Sequence, residues 1–296
     1  MKVKCRAGGA SILPTMQEIF GSDAYAPRQI AERVNELGVA KARLPLPSLL
    51  MLGMLAGAFI GLGSLFAVIV YSDASLGFAA RRVLGGAVFS LGLLLVVVAG
   101  AELFTGNNLL AMAWADGKVT TREMLFNWVV VCAANFAGAL VLAILVFLSG
   151  HTAMNAGAVA QAYREIAVAK TSLPPVQAFF SGVMCNVLVC LAVWMALAGR
   201  SVVDKLAAIL LPITAFVAAG FEHSVANMYL IALGMLLQSA AGEPVALAGF
   251  ARNLVPVTAG NIVGGSVMVA LVYYVIYLRP ARDRAASARS ARASSH

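Results

Sequence analysis

Apolar and polar positions along this chain fall into long blocks rather than short alternations. Four stretches, about 48–70, 124–149, 176–198 and 254–278, are apolar and carry no charge. Each is long enough to cross a hydrocarbon core of ~30 Å at ~1.5 Å per residue. Two more, about 83–115 and 206–237, are apolar but interrupted, with a carboxylate and other polar residues near their centres. The pattern predicts an all-α membrane protein with six transmembrane helices. Residues 27–43 open with Pro27 and set Ile30, Val34 and Leu37 on one face, which predicts an amphipathic helix. It is expected on the membrane surface, with a plug at a pore mouth as the alternative. The expected organisation is a cytoplasmic N-terminal segment over 1–47, a six-span domain over 48–278 and a basic, disordered cytoplasmic tail over 279–296.

Composition agrees with lipid as the solvent. Of 296 residues, 61% are hydrophobic and 11% charged, and the mean hydropathy is +0.89. Soluble domains have about 45–50% apolar and about 25% charged residues. Cys5, Cys132, Cys185 and Cys190 form no C-x-x-C pair, and three of them lie in apolar runs, where cysteine acts as a small hydrophobe. Residues 1–47 lack a signal-type apolar core, so the first span is expected to direct insertion.

The net charge of +8 resides in connections and tails, which argues against nucleic-acid binding. With both termini on one side, that side holds 16 Lys and Arg and the other 5. The asymmetry reads both termini as cytoplasmic, and an inner (plasma) membrane is the expected location.

The interrupted stretches can be laid over one another. Gly100-Ala101-Glu102 followed by Asn107 matches Gly220-Phe221-Glu222 followed by Asn227, an offset of 120. Asn127 and Asn135-Phe136-Ala137-Gly138 match Asn253 and Asn261-Ile262-Val263-Gly264 at an offset of 126. The first spans agree weakly, Gly57-x-x-x-Gly61 against Gly182-x-x-x-Asn186. Three spans duplicated give two units of opposite orientation, an inverted repeat with broken second and fifth spans. Such breaks are tolerated only against protein or a water-filled cavity, and their half-helix N-termini suit an anion. The helix-break residues are Gly100, Glu102, Gly106, Asn107, Gly220 and Asn227.

His223 is the candidate with most chemistry, because its apolar neighbours put it near midplane. There a histidine is either a neutral packing group or a functional one, and its place at a matched break favours function. Its free pKa of ~6.5 suits proton exchange near neutrality. Glu102 and Glu222 are expected to satisfy N–H groups at the breaks, since a free carboxylate in a pore would repel an anion. Lys170, in a loop over 150–175, is a candidate anion attractor. Gly53-x-x-x-Gly57-x-x-x-Gly61 reads as a close-packing motif, within the chain or between subunits. No H-E-x-x-H or Gly-rich phosphate loop is present, so no enzyme, metal or cofactor is expected.

At these residues the chain resembles the formate/nitrite transporter family. Gly100-Ala101-Glu102-Leu103-Phe104-Thr105-Gly106 and Ala218-Ala219-Gly220-Phe221-Glu222-His223-Ser224-Val225-Ala226-Asn227-Met228 are similar to its broken spans. The runs beginning Asn186-Val187-Leu188 and Pro256-Val257-Thr258 resemble its fourth and sixth spans. The resemblance implies an aquaporin-like fold, a homopentamer with one pore per protomer, and two apolar constrictions. It puts Phe89 and Phe216 at those constrictions, with Leu93 and Leu103 beside them. Thr105 then orients the ion, His223 exchanges a proton with it, and Lys170, Asn186 and Glu222 lie along the pathway. Substrates implied are formate first and nitrite second, with hydrosulfide an alternative, together with protons. The rival reading is an aquaporin-type neutral-solute channel, but neither break carries Asn-Pro-Ala.

Overall fold

The computed structural model describes residues 24–280. The far N-terminal segment with Cys5 and nearly all of the basic tail, His296 included, lie outside the described residues. Helix α1 (Pro27–Ala42) leads into α2 (Leu46–Tyr71) and α3 (Phe78–Leu95, widened to π-helical turns over Val96–Gly100). Two short helices follow, α4 (Phe104–Asn107) and α5 (Leu110–Ala115), and then α6 (Thr121–Leu148). The second half runs in a similar order, with one helix in place of the two short ones: α7 (Ala158–Thr171), α8 (Pro175–Ala196), α9 (Val202–Ala219), α10 (Ser224–Ala240) and α11 (Leu247–Ile262, running on in π-helical turns to Leu278). Among the described residues, six helices are long and apolar enough to cross a membrane: Leu46–Tyr71, Phe78–Gly100, Thr121–Leu148, Pro175–Ala196, Val202–Ala219 and Leu247–Leu278.

Local chemistry fixes where these helices begin and stop. Thr120 and Glu123 form a reciprocal capping box at the start of α6, with Glu123 N donating to Thr120 Oγ1 at 3.2 Å and Thr120 N to Glu123 Oε2 at 2.7 Å. Helices α3 and α9 both end on a glycine with positive φ, Gly100 at +87° and Gly220 at +80°. The next N–H reaches back five residues in each, Ala101 N to Val96 O and Phe221 N to Phe216 O, both 3.0 Å. This is the Schellman stop, for which glycine is the residue of choice. Three extended residues follow before the chain turns helical again at Phe104 and Ser224.

The structure corrects or refines four expectations. The stretch 206–237 is two helices, α9 and α10, separated at Gly220–His223. The loop over 150–175 is mostly helix, and Lys170 sits in the last turn of α7. Hydropathy missed α7 because only one face is apolar, with Val159, Ala162, Tyr163 and Ala167 buried. The first spans correspond through Gly53 and Gly182, an offset of 129, because each glycine carbonyl accepts from the matched Asn135 or Asn261. Finally, the glycine motif packs within the chain. A Cβ on Gly57 would collide with the Asn135 carbonyl on α6, and one on Gly138 with that of Met54 on α2.

Helix α1 is not a free surface helix. Ile30, Ala31 and Val34 are buried in the core, and Gly38 meets Ala113 of α5. Leu37, on the same amphipathic face, lines a cavity instead. The outer faces of the long helices carry exposed apolar side chains such as Val129, Leu148, Leu211 and Val255. Hydrocarbon rather than water is the medium that suits such a surface.

Candidate functional site

The two breaks are built by the same side chains on the same partners. Asn135 Nδ2 donates to the carbonyls of Gly53 and Glu102 at 2.7 and 2.9 Å, and its Oδ1 accepts from Phe104 N at 2.8 Å. Asn261 does the same with Gly182 O, Glu222 O and Ser224 N at 2.8, 3.0 and 2.9 Å. Each asparagine thus replaces the bonds that the helix gave up at the break. The glutamate side chains take none of these break N–H groups: Asn135 and Asn261 accept those of Phe104 and Ser224, and Leu52 O and Ser181 Oγ those of Glu102 and Glu222, which corrects the expectation for Glu102 and Glu222.

The carboxylates are held from the side chains instead. Lys41 Nζ lies 2.8 Å from Glu102 Oε1, and Lys170 Nζ 2.7 Å from Glu222 Oε1. Asn107 and Asn227 donate to the remaining Oε2 atoms at 2.7 and 2.6 Å. They also donate to Asn127 and Asn253, which in turn donate to the carbonyls of Lys41 and Lys170. A buried carboxylate without such partners would be prohibitively costly, so each set is an interlocked unit. Lys41 additionally reaches Asn107 Oδ1 at 3.0 Å, whereas the matching Asn227 Oδ1 has no hydrogen-bond partner.

Two cavities approach the centre and share no lining residue. One, about 270 Å³, is lined by Phe89, Lys170, Phe216, Gly220, Glu222 and His223, among others, and Asn227 also borders it. The other, about 320 Å³, is lined by Leu93, Gly100, Glu102, Leu103, Gly106 and Asn107, with Lys41 and Leu37 on the side of α1. Between them Thr105 Oγ1 and His223 Nε2 meet at 3.1 Å, and Thr105 is fully buried. Phe89 and Phe216 contact one another edge to face, 5.6 Å between centroids, so they form one layer on the His223 side. Leu93 and Leu103 face the opposite cavity. The Phe216 ring also stacks on His223 at 5.9 Å. Asn186 lines neither cavity. It stands behind Thr105, donating to Thr105 O, Asn108 Oδ1 and Asn261 O.

His223 is the N-cap of α10, and its Nδ1 accepts the backbone N–H of Ala226 at 3.1 Å. An acceptor nitrogen carries no proton, so the neutral ring holds its hydrogen on Nε2 and donates it to Thr105 Oγ1. The Thr105 hydroxyl hydrogen is then left for another acceptor. The pair therefore leaves one hydrogen-bond donor, the Thr105 hydroxyl, between the two cavities without a net charge.

The profile described as "Formate/nitrite transporter" matches residues 28–275. The chain belongs to the formate/nitrite transporter family. It is 37% identical over 273 residues to "Formate channel FocA" of Escherichia coli (strain K12), covering 87% of this chain and 96% of that one. It is 39% identical over 262 residues to "Uncharacterized transporter YrhG" of Bacillus subtilis (strain 168), with the same coverages, 87% and 96%. Among solved structures, "Pentameric formate channel with formate bound" matches with a TM-score of 0.72 at 35% identity, over 79% of this chain and 98% of that one. "FNT family ion channel" matches with a TM-score of 0.75 at 32% identity, over 84% and 98%. The formate/nitrite transporter family is one of channels and transporters, and this member is a multi-pass membrane protein of all-helical fold.

Within this formate/nitrite transporter chain, sequence reasoning overlooked Lys41. A signal existed, because Val39-Ala40-Lys41-x-x-Leu44-Pro45 matches Val168-Ala169-Lys170-x-x-Leu173-Pro174 at the offset of 129. Asn127 and Asn253 were visible as repeated residues but not as the links between lysine and glutamate.

Proposed function

We propose that this chain carries formate, or a related small monovalent anion such as nitrite, across an inner (plasma) membrane as a homopentamer with one pore per protomer. The observation that carries the reading is the Thr105–His223 pair, a donor site without net charge between two cavities. The relatives' formate-channel names and the pentameric neighbour support the substrate and the assembly. In this reading the halves are inverted repeats, and the two breaks lie at the midplane. Both termini are cytoplasmic, with the Leu103 cavity inside and the His223 cavity outside. Residues 1–47 form the cytoplasmic segment, 48–278 the transport domain, and 279–296 the tail.

The anion sheds water at the Phe89–Phe216 layer and passes Thr105, whose hydroxyl hydrogen orients it. Lys170, Glu222 and Asn186 hold the frame of the pathway, and Leu93 and Leu103 close it on the inner side. Inward movement of a bare anion against an inside-negative potential costs ~2.3 kcal/mol per 100 mV, and a shared proton removes that cost. His223 supplies the link. For a proton to leave Nε2 toward the carboxylate, another must arrive on Nδ1, and this displaces the Ala226 N–H. Proton linkage thus requires the start of α10 to loosen for a moment.

Formate uptake by purified protein in liposomes, with internal pH recorded, tests the reading. Saturable formate flux that acidifies the interior is expected, and nitrite is expected to compete. Passage of neutral solutes without formate flux would overturn it in favour of an aquaporin-type channel.

A further inference from the structure

The charges around the His223-side cavity do not cancel, and the residue left over is Arg82. Lys170 and Glu222 form an ion pair at 2.7 Å, so together they contribute no net charge. Arg82 lines the same cavity and has no carboxylate partner among the described residues. Its Nε donates to Ala218 O at 2.9 Å, one of the last carbonyls of α9. This single tether fixes the plane of the guanidinium and leaves both terminal nitrogens without a protein acceptor among the described residues. Space for the group comes from Gly220, where a Cβ would stand 2.6 Å from Arg82 Nη2.

We propose that Arg82 is the entry site for the permeating anion on the His223 side, binding a planar monovalent anion such as a small monocarboxylate through its terminal nitrogens. This rests on the reading of the chain as an anion conductor. Guanidinium is suited to the task because its donors match the two oxygens of a carboxylate and its charge persists at every physiological pH. A lysine held by a glutamate is poorly placed to do the same.

The site is one-sided. At the offset of 120 that relates the breaks, the position matching Arg82 is Val202. The opposite cavity has only the Lys41–Glu102 pair as charged lining. Attraction should therefore differ between the two faces of the membrane, and the difference should depend on salt, because exposed charges act over ~30 Å at 0.01 M ionic strength and ~3 Å at 1 M.

The test is formate flux in vesicles of known protein orientation, measured from each side at ~0.01 M and ~1 M ionic strength. From the Arg82 side, the parent should half-saturate at a lower formate concentration at low salt, and salt should raise that concentration. Arg82→Gln should raise it about tenfold at low salt, abolish the salt dependence, and leave the opposite side unchanged. Arg82→Lys keeps the charge without the fork, so it should retain the salt dependence with a rise of a few-fold. Equal salt dependence from both sides of the parent overturns the proposal before any variant is made. So does a loss as large in Arg82→Lys as in Arg82→Gln, which would assign Arg82 to tethering α9. If the parent carries no formate at all, it is the transport reading that fails. If Arg82→Gln does not assemble, the parent's sidedness and the Arg82→Lys salt dependence still decide the matter.

Discussion

The two breaks share a scaffold and differ in what they place on it. Glycine stop, glutamate, lysine and three asparagines recur in both halves with nearly the same distances. The side chains turned toward the centre do not recur. At the offset of 120, Leu103 corresponds to His223, Thr105 to Val225, Val96 to Phe216 and Val202 to Arg82. The first half therefore supplies an apolar side, a hydroxyl and, at the start of α3, a cation, and the second an imidazole and the Phe216 ring that meets Phe89. The recurring residues form the frame that holds each break together in an apolar medium. In the proposed function, divergence at these four positions is what makes the pathway directional.

The sharpest way to break this comparison is to remove the shared part. Asn135→Leu and Asn261→Leu each delete three hydrogen bonds to buried backbone groups. An unsatisfied buried group costs about 1–3 kcal/mol, so each variant should lose several kcal/mol and most of its folded yield. Thermal unfolding in detergent checks this. The two losses should be alike, and tolerance of one substitution but not the other would refute a common scaffold.

The next effect is on function rather than folding. His223→Asn preserves an N-cap acceptor, since asparagine is among the best capping residues, but removes the titrating ring. The variant should assemble and pass anion down its gradient while losing acid-stimulated uptake, read as internal pH during formate flux. Leu103→Val, at the matching position, should change the rate and leave the pH profile alone. An unchanged pH profile in His223→Asn would make the histidine structural.

Selectivity should respond on one side only. Phe216 fills the aromatic layer with Phe89, whereas its counterpart Val96 leaves no ring to remove. Phe216→Ala should admit larger carboxylates such as lactate several-fold faster, and Val96→Ala should not. Flux ratios of lactate to formate measure it.

How much of this was legible in the sequence follows the same division. The breaks were plain because Glu102, Asn107, Glu222, Asn227 and His223 are polar in apolar surroundings and repeat in order. Lys41 and α7 were hidden because low hydropathy made their segments look like flank and loop, although the Val-Ala-Lys-x-x-Leu-Pro repeat was there to be seen. The Phe89–Phe216 contact was not legible at all. These residues are 127 apart where the breaks are 120 apart, so they are not repeat mates, and only the packing of α3 on α9 brings them together. Arg82 reads in the sequence as one more charge of a connection, because its lack of a carboxylate partner among the described residues is a fact of three dimensions.

The smallest expected effect concerns Thr105, and it separates orientation from titration. Its hydroxyl accepts from His223 Nε2 and has one hydrogen left to give to a passing anion. Thr105→Ser retains both and should be close to the parent in rate. Thr105→Ala removes them, at about 0.5–1.5 kcal/mol for a hydrogen bond, which corresponds to a reduction of roughly 2- to 12-fold. The backbone of residue 105 stays clamped by Asn186 Nδ2 at 3.2 Å and Cys190 Sγ at 3.4 Å, so the fold should survive. Because alanine leaves the His223 ring in place, flux should fall while its midpoint on the pH axis stays put. Initial rates of formate uptake across pH 5–8, about the range over which histidine titrates, give both quantities from one series. A Thr105→Ala variant that also loses the pH dependence would mean that the proton reaches the anion only through the Thr105 hydroxyl, and the orienting role would have to be replaced by a relay.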